Sequence, residues 1–529
     1  MSQAVSSLAP SATLESRRTP RPSTLLWLSL VVVAVLALPL VFLLVQAAGT
    51  GTGTITSLVF RPLTVSLLWN TVKLTAVVTV LCAVIGTTAA VFIERTDLPA
   101  RSVWAVLVVV PLAIPDFVVS FGWASLSTWV QGFRGAVLVM TLAVYPLVYL
   151  PVAASLRNAD PGQEEVARTL GVGRLATFCR VTLGGARVAI LGGCLLVALV
   201  LLAEYGAFEI LGYQTFTTEI FSEFNSLSSF AAMCALSLVL VLLSLIVLAG
   251  EGMLRGRGRV SRSGPMTQRV SPPLQLGWAR WPVLALFALL VVLALGVPVA
   301  SALYWMADGL PPALSGGANV SLLNAAGHTA LYSGSAGVLA TLMALPVAML
   351  AVRHTGRMRH FLERSTYLVL AMPGVVIAFA LYYFTERYAA GFADGTAPML
   401  VLCYAIMFFP LALVGVKASL VRAPVSLDEV ARSLGQRRLP VLFRVTLRLA
   451  GPGLVAAFCL VFLSAVTELT ATLLLIPTNT QTLATQFWSY ESNLSYSQAA
   501  PFALVMIIVA AAPSYVLGRF FNRPVNAQG

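Results

Sequence analysis

Two glutamates, Glu204 and Glu468, lie inside long apolar stretches of the chain, 264 residues apart. A carboxylate near the centre of a membrane helix costs roughly 2.5 to 3.5 kcal/mol on insertion scales, so it normally faces protein or a water-filled path. Its oxygens are hard ligands that suit hard cations. The pair has two interpretations that the sequence leaves open: the glutamates face a shared pathway, or they make interhelical hydrogen bonds that hold a helical bundle together.

Prolines interrupt two other apolar stretches at equivalent places. Pro115 and Pro373 end similar tripeptides 258 residues apart, and Asp116 follows the first proline where Gly374 follows the second. A proline frees a backbone carbonyl and kinks a helix, and such backbone is tolerated at membrane depth only against protein or water. The two prolines and Asp116 are therefore candidates for lining or gating a pathway, with a simple packing kink as the open alternative.

A polar, arginine-bearing stretch also occurs twice. Residues 164–183 and 428–447 share 12 of 20 residues at an offset of 264. Each copy begins with residues of helical composition, continues to Gly171 or Gly435, where a helix would stop or turn, and leads through a second short piece into the next apolar run. Such an element cannot bury itself in lipid and must expose a face at the membrane surface. An ordinary basic loop would explain the arginines but not the repeated spacing.

The chain carries no recognisable catalytic motif. A P-loop needs a lysine directly after its last glycine to hold phosphates, and both lysines, Lys73 and Lys417, follow a valine. The three histidines lack a metal-ligand arrangement, and the six cysteines include no C-x-x-C pair, so the cysteines are interpreted as buried apolar side chains. We predict that the chain is not an enzyme and binds no cofactor of its own, and we assign no residue to a metal.

Long apolar runs must position these residues. The 529 residues are 58% hydrophobic and 10% charged, with a mean hydropathy of +0.89, which is more apolar surface than a soluble core needs. Runs of about 20 apolar residues predict membrane-spanning helices, and hence an all-α polytopic membrane protein. The twelve predicted spans are residues 25–48, 67–93, 102–125, 135–156, 188–211, 229–250, 281–306, 327–352, 365–385, 398–420, 451–476 and 499–518.

The arginines indicate the orientation of the chain. With a cytoplasmic N-terminus, 28 arginines lie in cytoplasmic segments and three, Arg61, Arg134 and Arg387, lie on the opposite side. This asymmetry is the positive-inside signature and predicts that both termini are cytoplasmic. It also accounts for the formal net charge of +13, so we predict no nucleic-acid partner.

The repeats divide the chain into two homologous halves of six helices. The halves share one orientation because each has an even number of spans. The predicted organisation is a disordered cytoplasmic tail, a first transmembrane half, a basic cytoplasmic linker, a second transmembrane half and a cytoplasmic tail, at residues 1–24, 25–250, 251–280, 281–518 and 519–529.

The duplicated stretch resembles the cytoplasmic signature of permease subunits of bacterial ABC importers, which reads E-A-A, three residues, G, nine residues, I, one residue and L-P. The residues that match it at this spacing in the two copies are Glu165, Ala167, Gly171, Val181 and Leu183, and Glu429, Ala431, Gly435, Val445 and Leu447. Both copies depart from the signature at its middle alanine and its final proline. These positions hold Val166 and Gly184 in the first copy and Val430 and Arg448 in the second.

The resemblance implies a type I ABC importer permease with both transmembrane halves fused in one chain of a bacterial inner membrane. In that family the signature forms coupling helices, which implies two docking sites for two copies of a cytoplasmic ATPase. ATP and Mg²⁺ would bind to those partners, and a periplasmic binding protein would deliver the substrate for alternating-access transport. Among importers, fused permeases of this size look most like the ferric-iron uptake family.

Other functions remain open at this point. A thiamine importer uses the same fused layout and also carries a cation, while phosphonate and polyamine importers are more distant alternatives. A secondary transporter also has twelve helices in two parallel halves, but the strongest duplicated signal here lies at the cytoplasmic surface rather than in the membrane. A purely structural scaffold would not need paired coupling elements.

Overall fold

The computed structural model describes residues 23–521 except 160, 226–229, 256–273, 309–315, 354–364, 367, 389–396, 422 and 424. Within these ranges the backbone forms helices joined by short turns, and its one β contact is an isolated bridge between Thr96 and Leu274. The predicted all-α fold is confirmed. Most of each predicted tail and most of the predicted linker lie outside the described residues.

The first half of the chain, up to the predicted linker, is built from helices α1 to α13. Their bounds are α1 Ser23–Thr50, α2 Thr52–Val59, α3 Pro62–Arg95, α4 Arg101–Leu107, α5 Asp116–Ala124, α6 Gly132–Val144, α7 Pro146–Arg157, α8 Pro161–Thr169, α9 Arg174–Thr177, α10 Leu183–Ala203, α11 Gly206–Ile210, α12 Phe216–Asn225 and α13 Phe230–Arg255.

The second half is built from helices α14 to α25. Their bounds are α14 Arg280–Val291, α15 Val297–Asp308, α16 Gly316–Arg353, α17 Gly374–Tyr388, α18 Ala397–Met407, α19 Phe409–Val421, α20 Val425–Ser433, α21 Arg438–Val441, α22 Leu447–Val466, α23 Thr470–Leu475, α24 Leu483–Ser492 and α25 Tyr496–Phe521. Short 3-10 or π segments join several of these helices.

The helices agree with the predicted spans. In the described ranges, eight helices are long and apolar enough to cross a membrane, and ten are when each of two bent pairs is counted as one span. The bent pairs are α4 with α5, at 90°, and α18 with α19, at 59°. The two other predicted spans, 365–385 and 499–518, coincide with α17 and α25. Each predicted span therefore contains a helix, and the polytopic fold is confirmed.

Pro115 and Pro373 interrupt their spans as predicted. Ile114, before the first proline, is extended with φ −89° and ψ 127°, because the proline ring disfavours helical backbone at the preceding residue. Helix α5 then begins at Asp116, after the 90° bend, and α17 begins at Gly374, directly after the second proline.

The glutamates lie in breaks that the apolar pattern did not predict. The sequence predicts uninterrupted spans over residues 188–211 and 451–476, and the structure corrects this. Glu204 lies between α10 and α11 with extended backbone, at φ −74° and ψ 134°, and Glu468 lies between α22 and α23. The residues on both sides of each break are mostly apolar, so composition alone cannot locate the end of the helix.

The first helix of each half packs against the other half. Helix α1 contacts α16 and α17, and Phe42 meets Phe384 edge to face at 6.0 Å between ring centroids. In return, α15 contacts α5, where the hydroxyls of Ser125 and Ser301 are hydrogen-bonded at 2.9 Å. This exchange interlocks the halves and packs the short helix that follows Pro115 against α15.

Candidate coupling and translocation sites

The duplicated stretch folds into the same element in both halves. The first surface element, residues 161–182, consists of α8, a turn, α9 and a π segment, and the second surface element, residues 425–446, has the same parts at an offset of 264. Gly171 and Gly435 end the first helix of each element with φ +82° and +83°, a left-handed conformation that favours glycine. The predicted helix, glycine and helix are confirmed.

The turn at each glycine closes with two backbone hydrogen bonds. In the first element, Val172 N–H donates to the Ala167 carbonyl at 3.1 Å and Gly171 N–H donates to the Arg168 carbonyl at 3.0 Å. The second element repeats both bonds, with Ala431 and Arg432 as acceptors at 3.2 and 3.0 Å. This is the Schellman arrangement, which satisfies carbonyls at the end of a helix. The alanine and glycine of the signature thus define one turn.

An anchor ties the first surface element to the membrane helices. The Thr182 hydroxyl donates to Glu164 Oε1 at 2.8 Å, and the guanidinium of Arg95, at the end of α3, forms an ion pair with the same carboxylate. The side chains of Arg95 and Glu164 are only 11% and 15% exposed. Because the pair is largely shielded from water, removing either partner would leave a charge with little solvent, which costs more than breaking a surface salt bridge.

The second surface element has an equivalent anchor. The Thr446 hydroxyl donates to Asp428 Oδ1 at 2.9 Å, and Arg353, at the end of α16, pairs with the same carboxylate. Arg353 and Asp428 are 14% and 9% exposed. The acidic and threonine positions repeat at the offset of 264 and the arginines at 258, the same two offsets that relate the halves in sequence.

Neither anchor was predicted from the sequence, because the family signature places its glutamate at Glu165 and Glu429. Each lies one residue after the acidic residue that forms the anchor. The available signal was an acidic residue opening each repeat, with an identical threonine 18 residues later. The arginine partners come from a different helix, so only the folded chain joins them to the element.

The signature glutamates lie on the opposite, exposed side of each element. Glu165 and Glu429 are exposed, and Ala167 and Ala431 are half-buried. Beside the glutamates, each element exposes a valine and a leucine four residues apart, which share one helix face. Their exposed fractions are 58% for Val166, 77% for Leu170, 56% for Val430 and 76% for Leu434. Matching apolar patches on two surface elements indicate interaction sites rather than isolated exposed residues.

Glu204 and Glu468 each cap the helix that follows them. The Ala207 N–H donates to Glu204 Oε1 at 2.8 Å, and the Ala471 N–H donates to Glu468 Oε1 at 3.0 Å. These bonds replace backbone hydrogen bonds that are lost at the breaks, and a buried N–H left without a partner would cost about 1 to 3 kcal/mol. These bonds are local to each break, so they differ from the interhelical hydrogen bonds of the structural interpretation and give the glutamates a capping role.

The two breaks also meet at the centre of the molecule. A side-chain carbon placed on Gly206 would lie 2.6 Å from Leu469 Cδ2 and 3.0 Å from Phe117 Cβ. Those two residues directly follow Glu468 and Asp116. The structure thus brings together the neighbourhoods of Asp116, Glu204 and Glu468, and Glu204 interacts electrostatically with both other carboxylates.

Each half pairs a proline break with a glutamate break. Helix α5, which follows Pro115, contacts α11, and α17, which follows Pro373, contacts α23. A side-chain carbon placed on Gly374 would lie 3.5 Å from Glu468 Oε1, so the second pair of breaks is in direct contact. Asp116 lies at the position equivalent to Gly374, so the first half has a third carboxylate that the second half lacks.

The three carboxylates are half-buried, although their neighbours in sequence are mostly buried. In the part of the chain that the structure describes, no group of three or more His, Cys, Asp or Glu side chains is close enough together to hold a metal ion. The arrangement therefore places three carboxylates at neighbouring helix breaks.

The family described as "binding-protein-dependent transport system inner membrane component" matches the chain twice, at residues 83–257 and 336–526. Each match covers one surface element and one glutamate break. The chain belongs to this family. It is a transport subunit of an inner membrane, and the resemblance to ABC importer permeases with two fused halves is confirmed.

Individual relatives agree with this assignment. The Fe(3+)-transport system permease protein FbpB 2 of Haemophilus influenzae is 34% identical over 464 residues, which cover 88% of this permease and 91% of the relative. The ferric transport system permease protein FbpB of Actinobacillus pleuropneumoniae is 24% identical and covers 84% and 69%. The molybdate/tungstate transport system permease protein WtpB of Pyrococcus furiosus is 28% identical over 203 residues, 37% of this permease but 81% of its own length.

Proposed function

We propose that this permease carries ferric iron from a periplasmic binding protein to the cytoplasm by alternating access. Two copies of a separate cytoplasmic ATPase bind ATP and Mg²⁺ and drive the cycle, while this chain hydrolyses no ATP. Both termini face the cytoplasm in this arrangement, on the same side as the surface elements. The observation that carries the proposal is the pair of equivalent surface elements, each anchored to a membrane helix and exposing a matching valine and leucine.

The anchors give the proposal a mechanical basis. An ATPase docked on the exposed glutamate, valine and leucine of an element would move that element as a unit, because the Schellman turn fixes its two helices. The Arg95 and Arg353 ion pairs would transmit the movement to α3 and α16. Glu165 and Glu429 project from the same exposed surface and are the proposed charged contacts with the ATPase.

The pathway is proposed to pass Asp116, Glu204 and Glu468. Hard oxygen ligands and negative charge suit a trivalent cation. The breaks after Pro115 and Pro373 touch the glutamate breaks, so a shift of the short helices α5 and α17 would change the space around the carboxylates. Thiamine is the alternative substrate of this layout, and the names of the two relatives that cover most of the chain favour iron.

Transport into proteoliposomes containing the cognate ATPase and binding protein tests the proposal. Ferric iron and thiamine are offered separately, and each measurement is repeated with the double variant Glu165→Ala and Glu429→Ala. We expect ATP-dependent iron uptake that collapses in the double variant. Uptake of thiamine alone would overturn the substrate, and uptake without any ATPase would overturn the mechanism.

Variants of the glutamates separate a pathway role from a capping role. Glu204→Gln and Glu468→Gln keep an oxygen that accepts the capping hydrogen bond but remove the charge. We expect unchanged thermal stability and reduced iron uptake. Glu204→Leu also removes the cap and should lower stability by about 1 to 2 kcal/mol. Normal iron uptake by both Gln variants would restrict the glutamates to the capping role.

A further inference from the structure

A cavity of about 380 Å³ opens beside Glu204, at the end of α10 opposite the first surface element. Its wall is polar apart from one phenylalanine, and the lining residues are Tyr205, Glu209, Thr218, Phe221, Ser222 and Asn225. The Thr217 hydroxyl, on the same helix as much of this wall, is hydrogen-bonded to the Glu204 carbonyl. The cavity therefore adjoins the proposed pathway.

Tyr205 is a buried residue on the wall of this cavity. The residue is 3% exposed, and its ring packs on Phe221 and Trp488 with centroids 4.2 and 5.6 Å away. Ring packing accounts for the aromatic group but not for the oxygen, which has no hydrogen-bond partner among the described residues. Polar groups on buried side chains normally have a partner, so a hydroxyl without one beside a cavity points to a ligand.

Two carboxylates lie near that hydroxyl. Glu209, on α11, lines the same cavity, and Glu491, on α24, comes one helical turn after Trp488, whose ring packs on Tyr205. Glu491 lies outside the membrane-spanning segments, and its pKa is raised to about 7, mainly by burial and also by Glu209. Two acidic groups held together in this way repel each other, and a cation between them would remove the repulsion.

The second half of the chain shows that the fold does not need these polar groups. At the offset of 264, Tyr205 and Glu209 correspond to Leu469 and Leu473, which pack as apolar residues. Helices α11 and α23 therefore form equally well with leucine at both positions. The tyrosine and the glutamate are present in one copy only, as expected for a ligand site rather than for helix packing.

We propose that Tyr205, Glu209 and Glu491 bind a hard trivalent cation at the outer mouth of the pathway, before it reaches Glu204. The direction of travel rests on the proposed function; the binding site does not. Two carboxylates and a phenolate would balance the charge of a trivalent ion, and Thr218 and Asn225 add oxygens to the cavity wall. Coordination of the phenolate releases one proton to solvent.

The test is direct binding to the purified full-length permease in detergent, without ATPase or binding protein. Ferric ion is added as ferric citrate, and a visible phenolate-to-iron charge-transfer band reports tyrosine coordination. We expect the band in the wild type, its displacement by colourless gallium(III), and no effect of magnesium. Tyr205→Phe keeps the ring packing and should abolish the band, while Glu209→Gln and Glu491→Gln should each weaken iron binding about tenfold or more.

Glu386→Gln is the matched control, because Glu386 is an exposed carboxylate at the end of α17, and it should bind iron as the wild type does. The inference is overturned if the wild type shows no band, if the band persists in Tyr205→Phe, or if both Gln variants bind normally. Ferric uptake that stays normal in the three variants would also overturn it while leaving the proposed function intact. Absence of ferric uptake by the wild type would instead contradict the proposed function. It would not affect the binding result, because binding is measured on the purified permease without transport.

Discussion

At the scale of single residues, the anchors are the contacts most sensitive to substitution. Arg95→Ala leaves the largely buried Glu164 carboxylate with only the Thr182 hydroxyl, and Arg353→Ala leaves the buried Asp428 carboxylate with only the Thr446 hydroxyl. Loss of a hydrogen bond to a charged group costs about 1.5 to 3 kcal/mol. We expect the surface element to detach from its membrane helix, so that stimulation of the ATPase by loaded binding protein falls about tenfold or more. ATPase rates in proteoliposomes measure this directly.

Arg101→Ala controls for the loss of one arginine, because Arg101 is exposed and lies six residues after Arg95, at the start of α4. The double variant Arg95→Glu with Glu164→Arg restores a pair of opposite charges. If the two residues interact, it should stimulate the ATPase more than either single variant does, which a double-mutant cycle measures. If Arg95→Ala is no more harmful than Arg101→Ala, the ion pair does not transmit the ATPase cycle.

At the scale of elements, the glycine turns should control the surface elements without affecting the membrane bundle. Gly171→Ala and Gly435→Ala place a side chain at φ +82° and +83°, where the left-handed backbone costs about 1 to 2 kcal/mol. Nothing lies within 4 Å of either new carbon, so the strain is purely local. We expect faster amide hydrogen exchange in residues 161–182 or 425–446 and weaker ATPase stimulation, with an unchanged melting temperature.

Asparagine tests the cause of the glycine effect, because it tolerates the left-handed conformation better than alanine does. Gly171→Asn should therefore disturb exchange and ATPase stimulation less than Gly171→Ala. Equal effects of the two substitutions would show that the turn matters for contact with a partner rather than for backbone conformation.

Elements whose cause is local could be predicted from the sequence. Apolar runs give the spans, prolines give the breaks before α5 and α17, and a glycine gives the turn of each surface element. The breaks at Glu204 and Glu468 could not be predicted, because the glutamate side chain replaces the missing backbone bonds while the surrounding residues stay mostly apolar. The anchors were missed for a related reason: Arg95 meets Glu164 only once α3 and α8 are packed.

At the scale of the whole molecule, the packing of the first helix of each half against the other half could not be predicted from the sequence. The predicted halves are each made of consecutive spans, but α1 packs on α16 and α17, and α15 packs on α5. Apolar residues lie on every face of α1, and α15 is mostly apolar, so no amphipathic face indicates which neighbour these two helices contact. The duplicated sequence therefore predicts two similar units and not the way in which they interlock.

The interlock gives a prediction at this same scale. A side-chain carbon on Gly122 would lie 2.6 Å from Pro298 Cα and 3.2 Å from its Cβ, and proline backbone cannot yield as a flexible side chain could. Gly122→Ala should therefore force α5 away from α15, with a loss of about 1 to 3 kcal/mol that thermal unfolding of the purified permease would register. Gly334→Ala, on α16, meets nothing within 4 Å and should be neutral or slightly stabilising. Because α5 starts at Asp116, Gly122→Ala should also reduce transport at temperatures where the protein remains folded. Equal stability and transport in the two variants would mean that the halves do not depend on this contact.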